Sequence, residues 1–217
     1  MRHGIRGAAV TALAAALLTG CGGEKESSGK PTASPTGTSS TGSQKASGAP
    51  VAEGRTTVGA AGSACRLPVS FTTADNWKAK AFTLDGTEFD ALAKQGPFTM
   101  ACEIDAKPAG NIGFLRAWTS DLKGGTPRAA LEAFVRAEKN ARKATYTEIK
   151  AGSLPATEVV YDTYSELMEE SKQEHALAVT TPGGAVVLHL GGIDTDEHKE
   201  MLPAYELAKK SLRVIAP

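Results

Sequence analysis

Aromatic side chains make up only 6% of this chain, and neither sign of charge prevails, with 24 basic and 24 acidic side chains. Without a basic excess there is nothing to neutralise a phosphate backbone, which argues against a nucleic-acid partner. No CxxC pair or HExxH helix is present to hold zinc, and no G-x-S-x-G elbow to present a nucleophilic serine. Gly183-Gly184 and Gly191-Gly192 lack the spacing and the lysine of a phosphate-cradling loop. The sequence therefore names no catalytic residue, no metal and no cofactor. Apolar runs are short as well, and none reaches the roughly 20 residues of a bilayer-spanning helix. Cysteine occurs only as Cys21, Cys65 and Cys102, and no internal repeat is visible.

What is present is organised along the chain. Arg2, His3 and Arg6 form a positive start, followed by an uncharged Ala/Leu-rich stretch from Gly7 to Leu18. Such a core is the size of a signal peptide's apolar region. It ends in Leu18-Thr19-Gly20-Cys21, which resembles the lipobox of bacterial lipoproteins: an aliphatic residue, two small ones, then the cysteine. Small residues let a peptidase grip the extended backbone, and the thiol is the nucleophile for diacylglyceryl transfer. The expectation is a signal peptide over 1–20 and a lipidated Cys21, against the alternatives of an ordinary cleaved signal or a short uncut anchor. Each buried CH₂ contributes about 0.8 kcal/mol, so two or more acyl chains anchor stably where one is marginal. This predicts a protein bound to the membrane through lipid, on the outer, extracytoplasmic face of the cytoplasmic membrane. Losing Arg2 and Arg6 with the leader leaves the mature chain two acids in excess.

From Gly22 to about Ala64 the composition turns to Gly, Ser, Thr, Ala, Pro and Lys, with Val51 and Val58 the only large aliphatic residues. Little here can bury enough apolar surface to offset ordering, so residues 21–64 are expected to be a disordered linker without secondary structure. At about 43 residues it would reach about 35–40 Å. Its Ser/Thr/Pro content also fits an O-glycosylated stalk.

Residues 65–217 are expected to form one globular domain. Leu67–Phe71 suggests a strand, and Asp85–Lys94 a helical turn. Phe98 to Asp105 alternates, with Phe98, Met100, Cys102 and Ile104 on one face. A turn at Pro108–Asn111 leads to a partner strand, Ile112–Thr119. Thr126 and Pro127 open a helix expected to run to about Lys143. Strands follow at 146–150, 156–164, 176–180 and 186–190. A last helix spans about 196–213, with Asp194 as cap, Glu197 at capping-box spacing, and Pro203 as a kink or fresh start. Strands and helices in this order argue for α+β layers.

An early strand leading to a tryptophan (Val69-Ser70-Phe71, then Trp77) precedes a hairpin and one amphipathic helix. Later come Ala156-Thr157-Glu158-Val159-Val160-Tyr161, a glycine-turn hairpin, and a helix ending Ser211-Leu212-Arg213-Val214. In this order and pattern the segment from Leu67 to Val214 resembles the LpqN-type lipoproteins of actinobacteria, which share the fold of PsbP, the extrinsic photosystem protein. The resemblance implies an antiparallel sheet flanked by helices, no shared catalytic motif, and a binding or accessory role.

Several constellations remain to be placed. Two thiols in one small exported domain usually pair, so Cys65 and Cys102 are expected to form a disulfide rather than stay free. His189, Asp194, Asp196 and His198 suit zinc as residue types, but the two acids fit a helix start equally well. His175 and His189 fall on neighbouring hairpin strands, and Glu166, Glu169 and Glu170 read as a solvated face. Ile112, Phe114, Arg116 and Trp118 share one strand face, and the aromatic pair flanking Arg116 suggests a ligand patch. The alternative is a covered sheet with Arg116 reaching solvent past its neighbours. The expected function is a non-catalytic module that binds an envelope protein, glycan or lipid. An exported hydrolase or metal-dependent enzyme and an envelope lipid carrier are the alternatives.

Overall fold

The computed structural model describes residues 55–166 and 168–215. The leader, Cys21 and most of the linker therefore lie outside the described residues. Ordered chain begins earlier than Cys65. Strand β1 (Thr57–Val58) pairs antiparallel with β2 (Val69–Thr72), and Val58 is fully buried. This corrects the linker boundary at residue 64: one buried valine and a backbone ladder are enough to recruit a polar segment. Strand β11 (Arg213–Val214) lines the other side of β2 and completes a small sheet.

The large sheet is antiparallel between all neighbours. Its order is β3 (Lys78–Ala81), β5 (Phe98–Asp105), β6 (Gly113–Ser120), β10 (Gly184–Gly192), β9 (Glu170–Thr181), β8 (Leu154–Ser165) and β7 (Ala141–Ala151). Short β4 (Lys94–Gln95), reached through a 3-10 turn at Glu88–Ala93, pairs beside β5. Helix α1 (Pro127–Arg136) packs on one face, and α2 (Thr195–Ser211) with the small sheet packs on the other. The chain is thus α+β, in three layers with two separate cores.

Strand β5 shows how the two cores divide. Its burial alternates along all eight residues, as the sequence suggests. A bulge between Met100 and Cys102 nevertheless shifts the register, so Met100 pairs with Trp118 and Cys102 with Ala117. Phe98 and Met100 join the core under α1, whereas Cys102 and Ile104 join the core under α2. These four residues do not share one face, because an inserted residue reverses the side-chain alternation. Cys102 then meets Cys65 in a disulfide, with Cα atoms 5.8 Å apart.

Helix α1 starts where expected, with Thr126 Oγ1 accepting from Ala129 N–H and Pro127 at the first position. It stops at Arg136 rather than near Lys143. Beyond Val135 the helix has only small alanines to bury, whereas residues 141–151 gain a ladder against β8, bulged between Arg142 and Thr145, and a seat for Arg142 over the Tyr164 ring at 4.7 Å. Helix α2 continues through Pro203 as one helix, with Asp194 Oδ1 accepting from Glu197 N–H at 2.8 Å. The reciprocal half of the capping box is absent. Glu197 Oε1 instead accepts from Ile112 N–H at 2.7 Å, which ties the helix start to the turn before β6.

Candidate functional site

The α1 face of the large sheet carries a row of polar side chains that no single segment displays. Register places Glu103 of β5 opposite Arg116 of β6, and Arg116 opposite His189 of β10. On the far side, Tyr161 of β8 pairs with Glu174 of β9. Because cross-strand neighbours on one face lie about 5 Å apart, these residues meet although they are up to 86 positions apart in sequence. Arg116 Nε donates to Glu103 Oε2 at 2.8 Å, and its guanidinium lies 4.6 Å over the Phe114 ring. Glu174 is the hub. His189 Nε2 lies 3.0 Å from its Oε2, Lys172 Nζ 2.9 Å from its Oε1, and Thr163 Oγ1 3.5 Å from the same oxygen. Lys172 also donates to the Gly192 carbonyl at 2.8 Å, and the Tyr161 hydroxyl stands 3.2 Å from His189 Nε2.

Glu174 is only 3% exposed. Burial alone would raise its pKa, but the His189 hydrogen bond and the charges of His189 and Lys172 outweigh it and hold the carboxyl below its usual range. The carboxylate is therefore ionised, so His189 Nε2 carries the proton it shares with Glu174. Tyr161 is pushed well above an ordinary phenol by burial and then by the Glu174 charge, which keeps it a neutral hydroxyl. Gly191 makes room for the hub: a Cβ there would stand 2.9 Å from Glu174 Oε2.

Over this row the sheet opens to solvent in a cleft with two lobes. One, of about 270 Å³, is lined by Ile112, Phe114, Arg116, Lys172, Glu174, His189 and Ile193 among others. The second, of about 310 Å³, shares Arg116, Lys172, Glu174 and His189 and extends to Leu92, Gln95, Trp118, Glu138 and Asn140. Three exposed apolar side chains stand at the rim, with Leu92 75%, Ile112 58% and Ile193 50% exposed. The arrangement is a charged floor, internally paired, beneath a hydrophobic lip.

The structure thus brings Phe114, Arg116 and Trp118 to one face, but not as one exposed patch. Phe114 and Arg116 are half-buried, whereas Trp118 is 4% exposed and packs edge-on to Phe134 of α1 at 5.5 Å. The tryptophan is a core residue because α1 covers that end of β6. Glu174, Glu103, Lys172 and Tyr161 were not anticipated as site residues. Glu174 offered one local signal, an acid within a run that becomes an apolar strand two residues later.

The zinc candidates are divided between opposite faces. His189 belongs to the α1 face, while His198 on α2 is fully buried beneath the other one, and Asp194 is the cap of α2. Among the described residues, no three His, Cys, Asp or Glu side chains come together to hold a metal. His175 also differs in face from His189, since β10 pairs Leu190, not His189, with it. His175 Nδ1 lies 2.7 Å from His198 Nε2, the rings stack at 4.9 Å, and His198 Nδ1 is buried without a partner. Burial, then the neighbouring His175, lowers the His198 pKa to about 4, and burial lowers that of His175. This pair is a neutral internal contact between α2 and the sheet. Glu169 and Glu170 lie exposed near the start of β9.

The fold is that of the PsbP proteins. The solution structure of cyanobacterial PsbP (CyanoP) from Synechocystis covers 75% of this chain and 93% of its own, with a TM-score of 0.51 at 11% identity. LpqN of Mycobacterium tuberculosis, described as involved in cell envelope biogenesis, covers 75% of this chain and 91% of its own, with a TM-score of 0.39 at 15% identity. No curated protein matches the sequence. The chain belongs to the Lipoprotein_23 family, described as uncharacterised lipoproteins, whose model matches residues 35–212.

Proposed function

We propose that this lipoprotein is a lipid-anchored, extracytoplasmic binding module of the bacterial envelope, and that its α1-face cleft is the binding site. The observation that carries the reading is the pairing inside the cleft. Arg116 is neutralised by Glu103, and Lys172 and His189 are engaged by Glu174. Groups held this way are fixed in position and suit recognition of a ligand beneath an apolar lip. A charged floor also speaks against a lipid carrier, whose cavity would be apolar.

A photo-crosslinking residue at Ile112 or Leu92 should trap a discrete partner in intact cells, and one at exposed Lys210 on α2 should not. Equal capture from Lys210, or none from the rim, would remove the cleft from the reading. The anchor rests on Cys21. Cys21→Ser should abolish fatty-acid labelling and leave the protein in the medium or as unprocessed precursor, and continued labelling would overturn it.

A further inference from the structure

Two donors at the cleft stand without a protein acceptor among the described residues. Both oxygens of Glu174 already accept, from Lys172 and Thr163 on one side and His189 on the other. Glu103 accepts from Arg116. On the donor side, Arg116 uses only Nε, leaving the four N–H groups of its terminal edge without a protein partner among the described residues. Trp118, which lines the second lobe, is 4% exposed, and its Nε1–H is buried with no acceptor among the described residues. A buried orphan donor is destabilising, and native structures seldom retain one without a reason.

Arg116 and Trp118 are two residues apart on the same strand face, so their side chains start about 7 Å from one another. We propose that the cleft takes a carboxylate-bearing ligand, whose oxygens accept from the terminal guanidinium edge of Arg116 and, once the wall of the lobe yields to admit them, from the buried indole N–H of Trp118. The inference rests on the cleft being the binding site. A planar, singly charged carboxylate matches the flat fork of arginine. A dianion such as phosphate suits the lobe less well, because Glu103, Glu138 and Glu174 already stand around it. The exposed Leu92 and Ile193 favour an apolar substituent next to the acid.

The test is a titration of the full exported domain, labelled with ¹⁵N at its indole nitrogens. Trp77, buried in the opposite core, is the internal control. N-acetyl-leucine should shift the Trp118 indole signal in a saturable way and leave Trp77 unmoved. N-acetyl-leucinamide, which lacks the carboxylate, and the Arg116→Gln variant should each bind at least about tenfold more weakly. An unchanged Trp77 signal in that variant shows that it is folded. No movement of Trp118 up to roughly 50 mM acid, equal binding of acid and amide, or full binding by Arg116→Gln would overturn the proposal. Inorganic phosphate binding as tightly as N-acetyl-leucine would also overturn the carboxylate assignment. If crosslinks from Ile112 persist while Trp118 ignores carboxylates, the ligand class falls and the site stands. If the rim crosslinks fail as well, both fall.

Discussion

The two faces of the large sheet are made by the same strands, yet one is closed and the other is left half open. Helix length is the main reason. The 17 residues of α2 span about 25 Å, and the small sheet extends that layer, whereas the 10 residues of α1 span about 15 Å. Seven strands at about 4.8 Å are some 29 Å across, so α1 alone cannot cover them. Where its cover ends the sheet exchanges valine and alanine for Arg116, His189 and Glu174, the Phe134 ring still reaching His189. On the covered face a histidine pair, His198 fully buried and His175 half-buried, is instead held without charge. A layer one residue thick thus carries an ion-paired, partly open surface on one side and an apolar, covered one on the other.

The sharpest way to break this contrast is to remove the boundary between covered and open halves. Phe134 touches Phe98, Trp118 and His189 with ring centroids 5.5–5.7 Å apart. Phe134→Ala should cost roughly 3–5 kcal/mol in urea unfolding. A loss under about 1 kcal/mol would mean that α1 is not what seals this half.

Acid should act chiefly on the closed face. The folded-state pKa of His198 is about 4, below its usual 6.5, and that of His175 is lowered too. The unfolded chain therefore binds more protons between those values, so the stability this pair contributes is complete above pH 6.5 and is lost as pH falls toward 4. Glu174, also lowered, adds loss in the same direction as pH falls below its usual 4.5. The melting temperature should decline from pH 6.5 to pH 4, and His198→Phe should flatten the upper part of that decline. A melting temperature constant over this range would contradict the neutral pair.

Arg116→Ala should have the smallest effect on stability, about 0.2–1 kcal/mol, because the Arg116–Glu103 pair is about one-third exposed. A loss above about 2 kcal/mol would recast Arg116 as structural.

Much of the architecture was legible in local pattern. The eight-residue alternation of β5, the Thr126-Pro127 start of α1 and the Asp194 cap of α2 each depend on neighbours in sequence. The bulge at Met100–Cys102 was not legible, since an alternating burial pattern survives it while the face changes. Nor was the early end of α1, which depends on competition from β8. The cleft depended on strand order. Glu103, Arg116, His189 and Glu174 become neighbours only because β6 pairs with β10 rather than with β7, the next strand in the chain. Arg116 was visible because it sits between aromatics. Glu174 was not, because its partners come from β8 and β10 as well as its own strand.

The Cys65–Cys102 bridge has a mechanical consequence for any chain held by its amino end. Tension along residues before 65 meets β1 first, a strand of two residues that can peel from β2 one bond at a time. From Arg55 to Ala64 this frees ten residues, about 35 Å of slack at full extension. There the pull reaches a covalent stop, and the load passes to Cys102 within β5, between β3 and β6 of the large sheet. Strand β1 can give way under force while β2, β11 and the cleft keep their places.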